Sequence, residues 1–144
     1  MTSLQLTEKL YAVCVRNVML YGSETWVIKK EDEPRCERNE MRTVRWMCDV
    51  TLKDGKPNVE LGNRLGIEST IKVMGWGRLK WFGHVERMWV GSCVKRCINM
   101  NANGRRAIGR LRKTWDVLLR DDFRVKGLTR GLARDCTAWQ AAIR

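Results

Sequence analysis

The chain has 144 residues, enough for one domain or for a small domain with an appendage, and enough to fold without disulfides or metals. Its 44% hydrophobic content is typical of a globular protein, and only two prolines occur, which excludes a proline-rich linker. The net charge of +12 favours a polyanionic partner, DNA or RNA, because unbalanced positive charge repels itself unless an anion relieves it.

The first predicted helix lies near the N-terminus and ends at Gly22. Its apolar positions at helical spacing are Leu6, Leu10, Val13 and Cys14. Glu8 interrupts this apolar stretch, which excludes a secretory signal, and Arg16 interrupts the longest apolar run, which excludes a membrane span. We therefore expect an intracellular protein, cytoplasmic or nuclear, with no membrane partner. Its six cysteines form no CxxC pair and are expected to be reduced, small buried hydrophobes.

Two helices follow in the next forty residues. The first is predicted from Asp32 to about Asp49, with Pro34 tolerated in its first turn. Its apolar stripe consists of Met41, Val44 and Cys48. Residues 54–57 predict a turn, and Asn58 is expected to cap a short helix through Leu65 that Gly66 ends.

The fourth predicted helix is longer, from Ser69 or Thr70 to about Trp89. Its apolar face is predicted to contain Phe82, Val85 and Trp89. It also contains Gly75, Gly77 and Gly83, each of which costs a helix about 1 kcal/mol relative to alanine. One helical turn is expected at residues 93–98 before a loop rich in Asn, Gly and Arg.

Two amphipathic helices complete the chain. Thr114 precedes the first, which Gly127 ends, and Thr129 precedes the second. Their apolar positions are Trp115, Leu118, Leu119 and Phe123, followed by Leu132, Cys136, Trp139 and Ile143. Because no segment alternates with period two, the predicted fold is all-α, a small bundle of about five to six short helices with a basic loop.

The positive charge is concentrated in the second half of the chain. Residues 1–75 contain 12 basic and 11 acidic side chains, whereas residues 76–144 contain 16 and 5. No acid lies between Arg87 and Trp115, and the basic loop, residues 99–113, precedes a predicted helix N-terminus, where N–H groups also favour an anion. The side chains predicted to contact phosphates are Arg105, Arg106, Arg110, Arg112 and Lys113, assisted by Lys95, Arg96 and Lys80. No residue pattern indicates that base edges are read, so backbone binding is predicted, and Trp115 is assigned to the core rather than to base stacking.

Three alternatives point to other site types. Residues 58–89 resemble a helix-turn-helix, with the cations Lys72, Arg78, Lys80 and Arg87 on the second helix. Asp121 and Asp122 are an adjacent acidic pair, but in a helix they point about 100° apart, and Lys126 offers Asp122 a surface ion pair. His84 is the single histidine and is expected to be a packed or half-exposed structural residue, since it lies on an apolar helix face with Glu86 as the one acid beside it. Its spacing to Cys93 and Cys97 matches no standard zinc signature. We therefore predict no catalytic residue, metal, cofactor or small-molecule substrate.

Four segments together resemble the C-terminal region of reverse transcriptases encoded by non-LTR retrotransposons. Residues 20–26, LYGSETW, match a segment that follows the polymerase palm in that family, and Glu40-Met41-Arg42 with Arg45 follow in the next helix. Residues 78–88, RLKWFGHVERM, resemble the family's RLRWLGHVLRM, and residues 109–115, GRLRKTW, resemble its GRPRKRW. The order and spacing agree over almost the whole chain. Departures at Leu111, Cys136 and Gln140, where the family usually has proline, arginine and arginine, leave a degenerate copy as an alternative.

The resemblance implies a truncated RNA-directed DNA polymerase. Residues 1–26 would be a remnant of the thumb, and residues 27–144 a helical C-terminal region that grips template RNA or target DNA. The family's catalytic carboxylates lie in the palm, ahead of LYGSETW, and the chain contains no Tyr/Phe-x-Asp-Asp hairpin. The expected activity is therefore nucleic-acid binding without polymerisation, and a structural fragment with no selected activity is the alternative.

Overall fold

The computed structural model describes Leu6, residues 9–100, Gly109 and residues 113–144, without the side chain of Arg64. Within these residues there is no strand, which confirms the predicted all-α fold. The described α-helices are α1 (Arg16–Met19), α2 (Glu33–Met47), α3 (Asn58–Arg64), α4 (Thr70–Arg87), α5 (Cys93–Asn99), α6 (Trp115–Lys126) and α7 (Cys136–Ile143). A π-helical turn, Tyr11–Val15, precedes α1, and 3-10 helices occupy Ser23–Thr25, Leu52–Asp54 and Arg130–Arg134.

The chain divides into two compact units, Met1–Met74 and Gly75–Arg144, and the division falls within α4. In the first unit, Tyr11 and Val44 are buried with Leu61 and Leu65 of the α3 segment. The predicted stripe of α2 is confirmed, since Val44 is fully buried and Met41 and Cys48 pack beside it. The predicted thumb remnant therefore shares a core with the residues that follow it, while its boundary at residue 26 stays a prediction.

A buried carboxylate joins distant segments of the first unit. Glu40 accepts a hydrogen bond from the Tyr11 hydroxyl at 2.8 Å and another from Nη2 of Arg16 at 3.1 Å. Its other oxygen accepts the backbone N–H of Thr70, at the start of α4, at 3.1 Å. Burial, together with the bond to Glu40, raises the pKa of Tyr11 far above its ordinary value. Glu40 is therefore a structural centre of this unit, because an unpaired carboxylate would be costly to bury.

The N-terminal segment buries a different face from the predicted one. Leu6, Leu10 and Val13 are all more than half exposed, and Cys14 is exposed as well. The buried side chain is Tyr11, whose ring lies in the core while its hydroxyl is satisfied by Glu40. The helical spacing of the aliphatic residues therefore does not identify the buried face of this segment. Tyr11 is buried instead, because its ring is apolar and its hydroxyl has a partner.

The second unit has an aromatic core. Phe82, Phe123 and Trp139 lie with ring centroids 5.2 to 6.1 Å apart, within the range of favourable aromatic pairs. Leu79, Leu119, Ala133 and Ile143 complete this core, and Trp115, Leu128 and Leu132 pack against it. The assignment of Trp115 to the core is confirmed.

Gly83 explains one glycine inside α4. A Cβ at this position would overlap Nε1 and Cδ1 of the Trp139 indole, so no larger side chain fits without movement. The indole Nε1 donates a hydrogen bond to the carbonyl of Leu79, one turn earlier in α4, at 3.1 Å. Glycine weakens the helix, but it allows the ring of α7 to lie directly against the α4 backbone.

Three local predictions were wrong. Trp89 lies beyond the end of α4 and is 78% exposed instead of packed beside Phe82 and Val85. The last helix does not run on from Thr129, because the chain leaves helical geometry at Asp135, whose side chain accepts the N–H groups of Thr137 and Ala138 and starts α7. The side chain of Asn58 does not cap α3 but accepts a hydrogen bond from Arg45.

Candidate nucleic-acid interface

The predicted phosphate contacts fall into two groups. Arg105, Arg106, Arg110 and Arg112 lie outside the described residues. Lys80, Lys95, Arg96 and Lys113 lie inside them, and all four belong to the second unit. The centre of the predicted basic loop therefore stays a prediction, and its flanking cations can be placed.

Lys80 and Arg96 are exposed and have no hydrogen-bonding or ionic partner among the described residues. Lys80 belongs to an exposed face of α4 with His84 and Arg87, at positions i, i+4 and i+7. Lys113 is half-buried and lies two residues before the first residue of α6. Lys80 and Arg96 are thus available to an external anion.

Lys95 has a role within the fold. Its ammonium donates to the carbonyl of Glu86 at 2.8 Å and to that of Met88 at 3.2 Å. These carbonyls lie at the C-terminal end of α4, where backbone acceptors lack helical partners and a cation is favourable. A phosphate would have to replace these two bonds, so Lys95 leaves the set of proposed contacts.

The aspartates of the second unit are already engaged. Asp122 binds Nε and Nη2 of Arg78 at 2.7 and 3.1 Å, and Asp121 binds Arg124 at 2.8 Å. Arg120, one turn later in the same helix, and Arg130, beyond the end of that helix, share the carboxylate of Asp116. Asp135 is occupied by hydrogen bonds from Thr137 and from the start of α7, and these bonds lower its pKa. Three of these four carboxylates therefore neutralise arginines of the same unit, and none of the four pairs with Lys80 or Arg96.

The adjacent acids Asp121 and Asp122 do not form a metal pair. Each is held in its own ion pair, on different sides of α6. The expected pair of Asp122 with Lys126 was wrong, because Lys126 donates to the carbonyl of Ile143 and lies 5.4 Å from the centroid of the Trp76 ring. Arg78 binds Asp122 instead, with a bidentate geometry that an ammonium cannot provide.

The histidine and most of the cysteines lie at the surface of the described part of the chain. His84 is exposed, with its ring 5.7 Å from that of Trp81. The described residues contain no group of three or more histidines, cysteines or acids that could hold a metal. None of the six thiols is fully buried, so the expectation of small buried hydrophobes was wrong. Cys48 comes nearest to it, packed at the edge of the first core.

Three of the four cations of the helix-turn-helix alternative have a partner within the chain. Arg78 is only 5% exposed and is held by Asp122, so it is unavailable to a DNA groove. Lys72 pairs with Glu68 one turn earlier. Arg87 donates to the carbonyl of Ala133 at 2.7 Å, which leaves Lys80 as the cation of this set without a described partner.

One basic surface was missed by the sequence reasoning. In the first unit, the arginines 38, 42 and 45 lie on one face of α2 beside the exposed ring of Trp46. The near-zero charge balance of residues 1–75 concealed it, since the acids and bases of α2 occupy different faces. The signal in the sequence was the helical spacing of the arginines.

Among the described helices, none combines the length and apolar character needed to cross a bilayer. Compared with known proteins, the chain matches no family model, no curated protein and no solved structure.

Proposed function

We propose that the second unit binds the phosphate backbone of DNA or RNA, and that the chain contributes binding rather than catalysis. The observation that carries the proposal is the engagement of Asp116, Asp121, Asp122 and Asp135 by partners within the unit. Sixteen basic residues against five acids then leave an excess of positive charge that only an external anion relieves. Nucleic acid supplies that anion as a regular array of phosphates.

The contacts in this proposal are the exposed cations of α4 and α5 together with the basic loop. They are Lys80, Arg96, Arg105, Arg106, Arg110, Arg112 and Lys113. Arginine suits this role because its guanidinium forms two parallel hydrogen bonds to a phosphate.

We further propose that the chain derives from the C-terminal region of a non-LTR retrotransposon reverse transcriptase. Two of the segments that resemble this family contain residues with a structural role in the chain. These roles give a physical reason for the segments to have been retained together. In residues 20–26, Gly22 adopts φ +72°, a conformation that favours glycine, and Ser23 is buried. In residues 78–88, Leu79 and Phe82 are core residues of the second unit. The role proposed for these helices is to hold template or target strands, without phosphoryl transfer.

The experiment is salt-dependent binding of the full chain to a labelled DNA duplex and to a labelled RNA strand of equal length. The logarithm of the association constant should fall linearly with the logarithm of salt concentration, with a slope set by the number of phosphates contacted. Changing Arg105, Arg106 and Arg110 to glutamine should flatten that slope by about 2–3 units.

The matched control removes the same charge from the near-neutral first unit. Lys29, Lys30 and Lys53 are exposed, and changing all three to glutamine should leave the slope within about one unit of its original value. Equal flattening by both triple variants would refute the placement of the contacts. Absence of binding even at low salt would refute the function and favour a fragment with no activity, to which the exposed Leu6, Leu10 and Val13 also point.

A further inference from the structure

A cleft lies beside the C-terminal half of α2 in the first unit. Its volume is about 550 Å³, within the range of about 300–1,000 Å³ found for ligand sites. The lining residues used below are Arg38, Arg42, Arg45, Trp46, Asp49 and Leu52. None of them belongs to the proposed backbone-binding surface of the second unit.

Three arginines give this cleft its positive side. Arg45 is held in place: its Nη2 donates to the carbonyl of Lys56 at 2.6 Å and to Oδ1 of Asn58 at 2.8 Å. Arg42 is exposed and has no described partner. Arg38 donates one hydrogen bond, from its Nε to a backbone carbonyl of its own helix. One arginine thus shapes the cleft, and the other two can bind an anion there.

The acids of α2 face elsewhere. Positions 33, 37 and 40 lie 100° or more around the helix from Arg38, because successive residues turn by about 100°. Asp49 is the acid that lines the cleft, and it has no cationic partner among the described residues. Arg38 and Arg42 therefore leave the cleft with a net positive charge.

The cleft also carries exposed apolar side chains. Trp46 and Leu52 are each 82% exposed. Burial of either side chain against a bound ligand would lower the free energy of the complex. Arg38, Arg42 and Trp46 are spaced four residues apart, so they follow one another along the same side of α2 at intervals of about 6 Å. Guanidinium groups in line with an exposed indole are the combination that holds unpaired nucleotides, with phosphates on the cations and a base on the ring.

We infer that the α2 cleft binds single-stranded nucleic acid by stacking one base on Trp46 while Arg42 and Arg38 hold the adjacent phosphates. The charge favours a polyanion, and the flat indole favours a base that is not paired in a duplex. This inference does not depend on the basic loop. It adds a preference for unpaired bases, which backbone binding by the second unit does not provide.

The test compares two labelled strands of eight nucleotides, one of thymidine and one abasic with the same phosphates, by fluorescence anisotropy with the full chain. Stacking on one ring should make the thymidine strand bind roughly 5- to 100-fold tighter than the abasic strand. Trp46→Ala should bring this ratio close to one without changing affinity for the abasic strand, and Trp46→Phe should retain part of it. Arg42→Gln should weaken both strands.

Trp89→Ala is the matched control, since Trp89 is 78% exposed and lies in the other unit. It should leave the ratio unchanged. A ratio that survives Trp46→Ala, or a ratio near one in the original protein, would overturn the inference. If the chain self-associates in sedimentation and Trp46→Ala abolishes that association while the ratio is unchanged, the cleft holds a second copy of the chain and the inference is wrong. The triple loop variant should lower both affinities and preserve the ratio, which separates failure of the cleft from failure of the proposed function.

Discussion

Gly83→Ala tests how closely the Trp139 indole lies against α4. The added methyl group would overlap the ring at Nε1 and Cδ1, and Trp139 has no room to retreat, since it is 1% exposed. Overpacking a core costs about 1–3 kcal/mol. Displacing the ring also breaks its 3.1 Å hydrogen bond to Leu79 and leaves a buried donor unsatisfied, at about 1–3 kcal/mol. Alanine returns about 1 kcal/mol through helix propensity.

The free energy of unfolding should therefore fall by about 3 kcal/mol, within a range of about 1–5. Urea denaturation followed by tryptophan fluorescence and circular dichroism measures it. Gly131→Ala is the control in the same unit, since a Cβ there meets no atom within 4 Å, and it should change stability by less than about 0.5 kcal/mol. If Gly83→Ala proved as stable as the original protein, the close approach of ring and backbone would be refuted.

Other substitutions separate buried interactions from exposed ones. Asp122→Ala leaves the buried guanidinium of Arg78 without its carboxylate and should lower the free energy of unfolding by about 2–4 kcal/mol, whereas the neighbouring Asp121→Ala should change it by less than about 0.5 kcal/mol in the same urea titration. Equal effects would contradict the assignment. Asp49 has φ +53°, a left-handed conformation that strains a residue with a side chain, so Asp49→Gly should raise the free energy of unfolding by about 0.5–1 kcal/mol. A lower urea midpoint for this variant would contradict backbone strain at Asp49. Asp135→Ala should lower the melting temperature at neutral pH. Because the hydrogen bonds of the cap lower the pKa of Asp135, the difference in melting temperature between variant and original protein should be constant above the ordinary carboxylate pKa and should vanish as the pH falls through the lowered pKa. Melting curves between about pH 7 and about pH 2 measure this difference.

The local features of the fold were predictable from the sequence. Helical spacing identified Val44, Phe82, Leu119 and Trp139 as core residues, since each repeats an apolar position within one helix. Gly127, with φ +63°, ends α6 as the sequence indicated. These signals act over a few residues, which is why one sequence suffices to find them.

Interactions between distant residues were not predictable in this way. Glu40 looks like a surface residue, because the three groups that satisfy it lie 24 to 30 residues away in the sequence. Asp122 has a suitable cation one turn away, yet it binds Arg78, 44 residues earlier. The cleft on α2 was not predicted for another reason. The net charge of a segment adds acids and bases together, although the helix places them on different faces. Partner choice and surface patterning arise when segments pack, and helical periodicity does not specify either.

The bond between Arg78 and Asp122 also has a consequence for how this sequence can drift. The two positions are 44 residues apart and depend on each other, so a change at one creates pressure for a change at the other. Asp121 and Arg124 are an exposed pair one turn apart and can vary singly at little cost. In related sequences still selected to fold, positions 78 and 122 should therefore change together, while positions 121 and 124 vary independently. In related sequences released from that selection, both pairs should be lost at the same rate.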